Sequence, residues 1–438
     1  MLNSINDAAV LPVGGRPPVR VLLLALESRH ISSCRLPAAF AAAGAEIGAL
    51  AGADSLIFRS NHVGARFTLP DSCNARRLLA DLEHAIAAFA PDVLVPCDER
   101  TLWFLDHCRA RAGRLGLAAL SPGLTACLTR SLGRLDTLPA RTMKPLTQRL
   151  ARDIGVRAPP DIPATTLDEA RAAARRLGYP VVLKRPRSCG GSGVRICRTP
   201  VELDDSCALW LRPRSPWRRL KARLRERDWM EPSAQVSVQP YIDGRLAVTC
   251  AAAIEGRTLG VLSAVAERRA RDILPADVLA YVARPDLVAA SAALVAAFGA
   301  SGFVSFDFLI DGNDQAWLLE CNARPTPILP FGARAGLNLV GVLLKALGGV
   351  PGGESAAPIS TVRQEARVAL FPQALMPGPA DAALRALWHG VPWDEPELLR
   401  ALLVELRAAR RAGAGDALTP PGLPGPERPA PAPSARWR

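Results

Sequence analysis

At 438 residues the chain is longer than one typical domain, and with 49% hydrophobic residues and a mean hydropathy of +0.12 it can bury two or three cores. No stretch approaches the ~20 consecutive apolar residues of a membrane-spanning helix, so a cytoplasmic address is expected. The net charge of +13 rests on 54 basic residues, and only Lys144, Lys184, Lys221 and Lys345 are lysine. The arginines are spread along the chain rather than gathered into one run, which fits a GC-rich coding background and argues against nucleic acid as a partner. The 10 cysteines are scattered singly, with no Cys-x-x-Cys pair and no His-x-His nearby, so neither a disulfide framework nor a zinc site is expected.

Residues 1–18 read as a loose lead-in rich in Gly and Pro. "VRVLLLAL" is a buried strand ending at Glu27, "LPAAFAAAGAEIGAL" a helix and a strand, "NARRLLADLEHAIAAFAP" a helix with apolar residues three and four apart, and "DVLVPCDE" a strand. Such alternation predicts a parallel sheet with helices on its faces over 19–130. Asp98 and Glu99 follow the last of these strands, where open α/β sheets place ligands, although a cap on the next helix is the other reading.

From Met143 the pattern changes. "KPLTQRLARDIGV" is an amphipathic helix opened by Lys144 and ended by Gly155, and Thr166 with Glu169 has the spacing of a capping box. Residues 211–231 form a basic insertion, with Trp217, Leu220 and Leu224 on one side of a helix that could face an anionic substrate, a carrier protein or a membrane surface. Further strands are expected in "AQVSVQPYIDG", "LAVTCAAAIEG" and "TLGVLSAVAER", with a helix near 286–298 and a closing hairpin running to about 330. A C-terminal extension over 351–412 carries a short helix near 395–411, and residues 413–438 are too poor in large apolar groups to order.

Three stretches carry chemistry. In "GFVSFDFLIDGNDQAWLLECNARP", strand alternation puts Val304, Phe306, Phe308 and Ile310 on one face and Asp307 on the other. On the return strand Glu320, Asn322 and Arg324 share a face opposite Trp317, Leu319 and Cys321. The Asp311-Gly312-Asn313 turn then brings Asp307 opposite Glu320. Two adjacent carboxylates repel unless a divalent cation sits between them, and an all-oxygen set of Asp307, Glu320 and Asn322 favours Mg²⁺. Arg324 is suited to charge on a transferring phosphoryl group.

In "PVVLKRPRSCGGSGV", an apolar strand carries Lys184, and Gly190, Gly191, Ser192 and Gly193 follow it. Glycines let backbone N–H groups approach phosphate oxygens while the lysine supplies a point charge. In "VQPYIDG", Gln239, Pro240, Tyr241 and Ile242 end an extended segment whose backbone could read an adenine edge.

Taken in order, these stretches resemble the ATP-grasp superfamily, in the branch of biotin carboxylase and carbamoyl phosphate synthetase. The likeness runs from about 20 to 350. It implies an α/β fold with an N-terminal parallel domain (19–130) before a two-lobed domain of antiparallel sheets (131–350), whose glycine-loop lobe covers about 158–240. Lys144, eleven residues ahead of Gly155, and Lys184 before the glycine loop match that family's nucleotide lysines. Gln239 to Ile242 match its adenine-reading segment, Asp307, Glu320 and Asn322 its metal ligands, and Arg324 its catalytic arginine. An aspartate as first ligand is more like the D-alanine ligase branch.

The implied activity is an ATP-dependent, ADP-forming carboxylate ligase with ATP and Mg²⁺ (or Mn²⁺), acting on a small carboxylic acid and an amine-type or thiol nucleophile, with a homodimer left open. The alternative is a non-catalytic ATP-binding sensor of the same fold. Asp98, Glu99 and Arg334 are nominated as facing the substrate cleft, and biotin or carbamoyl chemistry is not expected without the partner domains those enzymes carry.

Overall fold

The structure, a computed structural model, describes residues 17–70, 74–115, 120–188, 191–212, 215–230, 233–269, 276–348, 359–376 and 382–411. Gly190, Cys73, Cys189, most of the lead-in and the C-terminal tail lie outside them.

The first sheet is built from β1 (Arg20–Ala25), α1 (Leu36–Ala41), β2 (Glu46–Gly52), β3 (Ala65–Leu69), α2 (Ala75–Phe89), β4 (Val93–Pro96) and α3 (Glu99–Leu115). Its strands are all parallel, in the order β3-β2-β1-β4. Both faces are covered, as parallel sheets require. Val21 and Leu23 pack with Phe40 and Val95 on one side, while Leu22 and Leu24 pack with Leu82, Phe89 and Leu105 on the other. The strand order reverses between β1 and β4, so the ends of these two strands flank the crevice where such sheets bind ligands.

Helices α4 (Pro122–Leu132), α5 (Leu138–Thr142) and α6 (Lys144–Asp153) lead to a small lobe of β5 (Ile162–Ala164), α7 (Leu167–Leu177), β6 (Val181–Lys184), β7 (Val194–Cys197), α8 (Pro200–Trp210), α9 (Pro216–Leu224) and β8 (Val236–Pro240). Its antiparallel sheet has the order β5-β8-β6-β7. The capping box at α7 is formed: Thr166 Oγ1 accepts from the Glu169 N–H, and the Glu169 carboxylate accepts from the Thr166 N–H. Val181, Leu183, Val236 and Val238 face a core made with Ala170, Leu203 and Trp210. Lys184 pairs with Ser237 and Val182 with Gln239, so these four share the opposite face.

The third sheet holds β9 (Gly244–Ile254), β10 (Arg257–Arg269), β11 (Ala276–Tyr281), β12 (Gly302–Asp311) and β13 (Ala316–Asn322), with α10 (Pro285–Phe298) and α11 (Leu339–Leu347) against its faces. The C-terminal extension completes it: β14 (Ser360–Thr361) lies parallel to β10, β15 (Ala366–Ala369) pairs with β11, and after α12 (Ala382–Arg385), β16 (Trp388–His389) closes the edge. Helix α13 (Pro396–Arg411) buries Leu398 and Leu402 against Cys34, Leu56 and Phe371. One core is continuous from the first sheet to the third, joining Val21, Phe40 and Val95 to Cys250, Leu262, Phe303 and Leu343.

Two expectations change here. Asp307 pairs with Glu320 but Phe308 pairs with Leu318, so Leu319 is an extra residue and the strand is bulged. The bulge switches parity: Leu318 joins Phe308 in the core, where Leu319 and Trp317 were expected. Trp317 is instead half-buried, its Nε1 donating to Asp311 at 2.8 Å and the Arg157 guanidinium 5.4 Å from its ring.

The 211–231 insertion is also more than a solvated helix. Its distal part docks on the first sheet's helices. Trp229 is buried beside Phe104, the ring centroids 5.8 Å apart, and Glu226 pairs with Arg76 at 2.9 Å and Arg111 at 3.2 Å. The Ala75 N–H donates to the Glu226 carbonyl at 2.9 Å, and Asn74 Nδ2 donates to the Arg225 carbonyl at 3.1 Å. The segment therefore bridges the small lobe and the N-terminal unit.

Candidate active site

The charged face of the β12–β13 hairpin is seated on aromatic packing. Phe306 and Phe308 are fully buried on the reverse face, and Phe306 stacks on Phe298 with centroids 6.4 Å apart. With those residues committed to the core, alternation leaves Asp307 directly across from Glu320 and Ser305 across from Asn322. The two carboxyls hydrogen-bond each other. Burial, and then the charge of Glu320, push Asp307 well above the ordinary carboxylate range. Burial acts on Glu320 as well, but the Lys144 ammonium at 2.9 Å, Lys184 and the Asp307 hydrogen bond together hold that carboxylate below its ordinary value.

Lys144 joins the hairpin to the glycine loop. Besides its ion pair with Glu320, its Nζ donates to the Ser188 carbonyl at 2.8 Å and to Ser188 Oγ at 3.1 Å. Lys184 enters the same cleft from β6; burial pushes its ammonium down to about 8, and the nearby Lys144 charge adds to the fall. Gly191 takes a positive φ of +77°, and a Cβ on Gly193 would stand 2.3 Å from Ser188 Cβ, so the loop's tight path needs glycine at both positions.

Gln239 is placed differently from the sequence expectation. It is buried, and its Nε2 donates to Gln148 Oε1, to Asp161 Oδ1 at 2.9 Å and to Ser237 Oγ at 3.1 Å. Gln148 in turn donates to the carbonyl of the bulged Leu319 at 2.8 Å. The Gln239 amide thus links the small lobe through α6 to the hairpin, and its donors are occupied. At the next residues, the Tyr241 N–H donates to the Pro180 carbonyl at 3.2 Å.

Arg324 is buried past the end of β13, and its Nε and Nη2 both donate to one oxygen of Glu99, the former at 2.7 Å. Ser305 Oγ donates to the Arg324 carbonyl at 2.9 Å and fixes the turn. The two readings of the Asp98-Glu99 pair divide between them. Asp98 caps α3, accepting from the Thr101 N–H at 2.8 Å, and ties down the end of β1 by accepting from the N–H groups of Leu26 and Glu27 at 2.8 and 3.0 Å. Glu99 is buried and receives the Arg324 guanidinium. Arg334, nominated for the cleft, is exposed and stacks on Trp388, 4.2 Å from the ring.

A family model described as "Carbamoyl-phosphate synthase L chain, ATP binding domain" matches residues 144–214. The carbamoyl phosphate synthase large chain of Xylella fastidiosa is 27% identical over an alignment of 245 residues that covers 53% of this chain and 21% of that protein. The biotin carboxylase domain of 2-oxoglutarate carboxylase from Hydrogenobacter thermophilus, solved with MgADP, ADP and bicarbonate, superposes with a TM-score of 0.54 at 17% identity, covering 80% of this chain and 73% of that one. Over residues 144–214 the chain resembles this ATP-binding family, and its fold is the ATP-grasp fold.

A second ATP-grasp structure, L-amino acid ligase from Bacillus licheniformis, has a TM-score of 0.54 at 17% identity over 76% of each chain. The chain spans about a fifth of the length of the curated relative it matches. As an ATP-grasp fold the molecule places its small lobe over the hairpin, and three further residues at that junction have no counterpart in the motifs. Glu27 follows β1, and Arg100 follows β4 with its Nε 3.5 Å from Glu27. Burial, and then Asp98 and Glu99, push Glu27 up to about 8. Their position at the strand ends was the available signal. Gln148 lies one helical turn after Lys144 on the same face of α6, which was a readable signal too.

Proposed function

We propose that this protein is an ATP-dependent, ADP-forming carboxylate ligase that joins a small carboxylic acid to an amine or thiol through an acyl phosphate. The observation that carries this reading is the convergence of Lys144, Glu320 and Asp307, in line with Lys184 and the glycine loop, in one cleft between two sheets.

Asp307, Glu320 and Asn322 fit a divalent cation. Their donors are all oxygen, they lie across from one another on adjacent strands, and the burial and Glu320 charge that raise Asp307 are what a cation would offset. When bound there, Mg²⁺ would offset phosphate charge and orient the nucleotide. The chain's own groups do the rest. Lys184 and the loop N–H groups hold the phosphates, and Lys144, freed from Glu320, can turn its ammonium to them. With the Tyr241 N–H committed to Pro180, strand alternation leaves the Pro240 carbonyl and the Ile242 N–H to meet an adenine edge, and Gln239 Oε1 remains an acceptor beside them.

The substrate carboxylate oxygen then bonds to the γ-phosphorus as the bond to ADP breaks, with Arg324 released from Glu99 to meet charge on the transferring group. The amine nitrogen or thiol sulfur next attacks the acyl carbon, inorganic phosphate leaves, and the nucleophile gives up its proton. Closure of the glycine loop excludes water and protects the acyl phosphate.

The test is a hydroxylamine trap with ATP and Mg²⁺ against a panel of carboxylic and amino acids, run beside Asp307→Asn and Glu320→Gln. Acid-dependent hydroxamate and ADP are expected from the parent chain, with a loss of roughly 10²–10³-fold in either variant. Hydroxamate that persists in both variants would sink the metal assignment. Nucleotide binding with no acid-dependent ADP release would instead make the chain a sensor.

A further inference from the structure

Helix α9 is not used by the reaction, and its surface is unusual. All of its nine residues but Ala222 are exposed, with Trp217, Leu220 and Leu224 at 78%, 46% and 76%. At about 100° per residue these three side chains fall within an arc of about 60°. Lys221 lies about 40° beyond one edge of that arc, and Arg223 about 60° beyond the other. Ala222, the residue turned toward the body of the protein, is about 170° from the arc's centre. The apolar ridge therefore points straight away from the molecule, bracketed by cations, on a helix whose sequence PWRRLKARL contains no acidic residue.

We propose that this ridge is a docking surface for an anionic lipid interface. Apolar side chains that project outward between long cationic ones match such a surface: the ridge enters the acyl boundary while the Lys221 and Arg223 stems lie along it and place their charges among the headgroups. A protein partner would have to supply a groove shaped to this ridge. A lipid surface deforms around it, and opposite charge is the only complementarity required. One short helix gives weak, reversible attachment. The inference is independent of the ligase reading.

The experiment is sedimentation of the full-length protein with vesicles of pure phosphatidylcholine or of equimolar phosphatidylcholine and phosphatidylglycerol. The protein is expected to sediment with the anionic vesicles and stay in solution with the neutral ones. Lys221→Gln/Arg223→Gln should weaken partitioning roughly twenty-five-fold, at about fivefold per cation removed. Trp217→Ser/Leu224→Ser, which keeps every charge, should weaken it on the order of tenfold or more. Unchanged melting curves for both variants serve as the folding control.

Equal sedimentation of Trp217→Ser/Leu224→Ser and the parent would place the binding elsewhere on this basic chain and overturn the proposal, as would failure to sediment with anionic vesicles. Salt-sensitive capture by polyaspartate beads without vesicle binding would assign the ridge to an acidic protein and overturn it too.

Discussion

The hairpin bearing Asp307 and Glu320 and the strand bearing Lys184 face the same cleft, yet they are held by different means. The hairpin is backed by large buried aromatics, Phe298, Phe306 and Phe308, in a sheet that shares its cores with the rest of the molecule. The small lobe is backed by a thinner core of alanines and valines with Leu203 and Trp210. It reaches its surroundings through individual side chains: Lys144 to Ser188, Gln239 to Gln148, Arg187 to Asp106 at 2.6 Å, and the bridge to Trp229. A pair of buried carboxyls meant for one cation must be held rigidly. A cover over phosphates must move. The two kinds of support fit those two demands.

The comparison can be broken most forcefully at Phe306. Phe306→Ala should destabilise the protein by about 3–5 kcal/mol in chemical denaturation, because the cavity lies under the hairpin. A loss below about 1 kcal/mol would show that the carboxylates do not depend on that packing. Lys184→Met should lower hydroxamate formation by roughly 10²–10³-fold with no loss of stability, since a buried ammonium is removed and an apolar chain of similar length takes its place. A large drop in denaturation midpoint would mean that Lys184 is structural.

Arg187→Gln removes a tie between the small lobe and α3, and should speed amide exchange around residues 185–197 by about tenfold while leaving the hairpin unchanged. Equal effects on both regions would erase the distinction drawn above.

The last way to break the comparison is through pH, at Glu27. A buried acid pushed up to about 8 keeps a proton that the unfolded chain releases near 4.5. The native state therefore binds more protons between those values, and stability falls as pH rises through that window. Glu27→Gln should flatten the decline in melting temperature between pH 5 and pH 8. An unaltered slope would count against a buried, proton-holding Glu27.

The faces of the hairpin were legible because Phe306, Asp307 and Phe308 alternate without ambiguity, and Lys184 stood out as one of four lysines. Legibility stopped at Leu319, since periodicity carries parity along a strand only until a bulge resets it. Strand β11 follows a proline and is short, so nothing in its six residues marked it as the partner that β15 would extend. Gln239 was readable as part of an adenine-reading segment, but its commitment to Gln148 and Asp161 depends on side chains far away in sequence. The Arg324–Glu99 contact joins residues 225 apart, and only the meeting of two sheets creates it. Likewise, the basic stretch after Trp210 showed its helix but not its anchor, because the residues that receive Trp229 belong to another unit.

That anchor limits how the small lobe can travel. Trp210 is sunk in the small lobe and Trp229 in the N-terminal unit, and the chain between them is partly stiffened by α9. The lobe is thus leashed at its far side as well as joined to the third sheet between β8 and β9, and any swing that exposes the nucleotide cleft must draw on the slack of that leash. Shortening the leash would hold the cover shut, and cutting it would let the cover gape; traffic of nucleotide through the cleft would respond in opposite senses to the two changes.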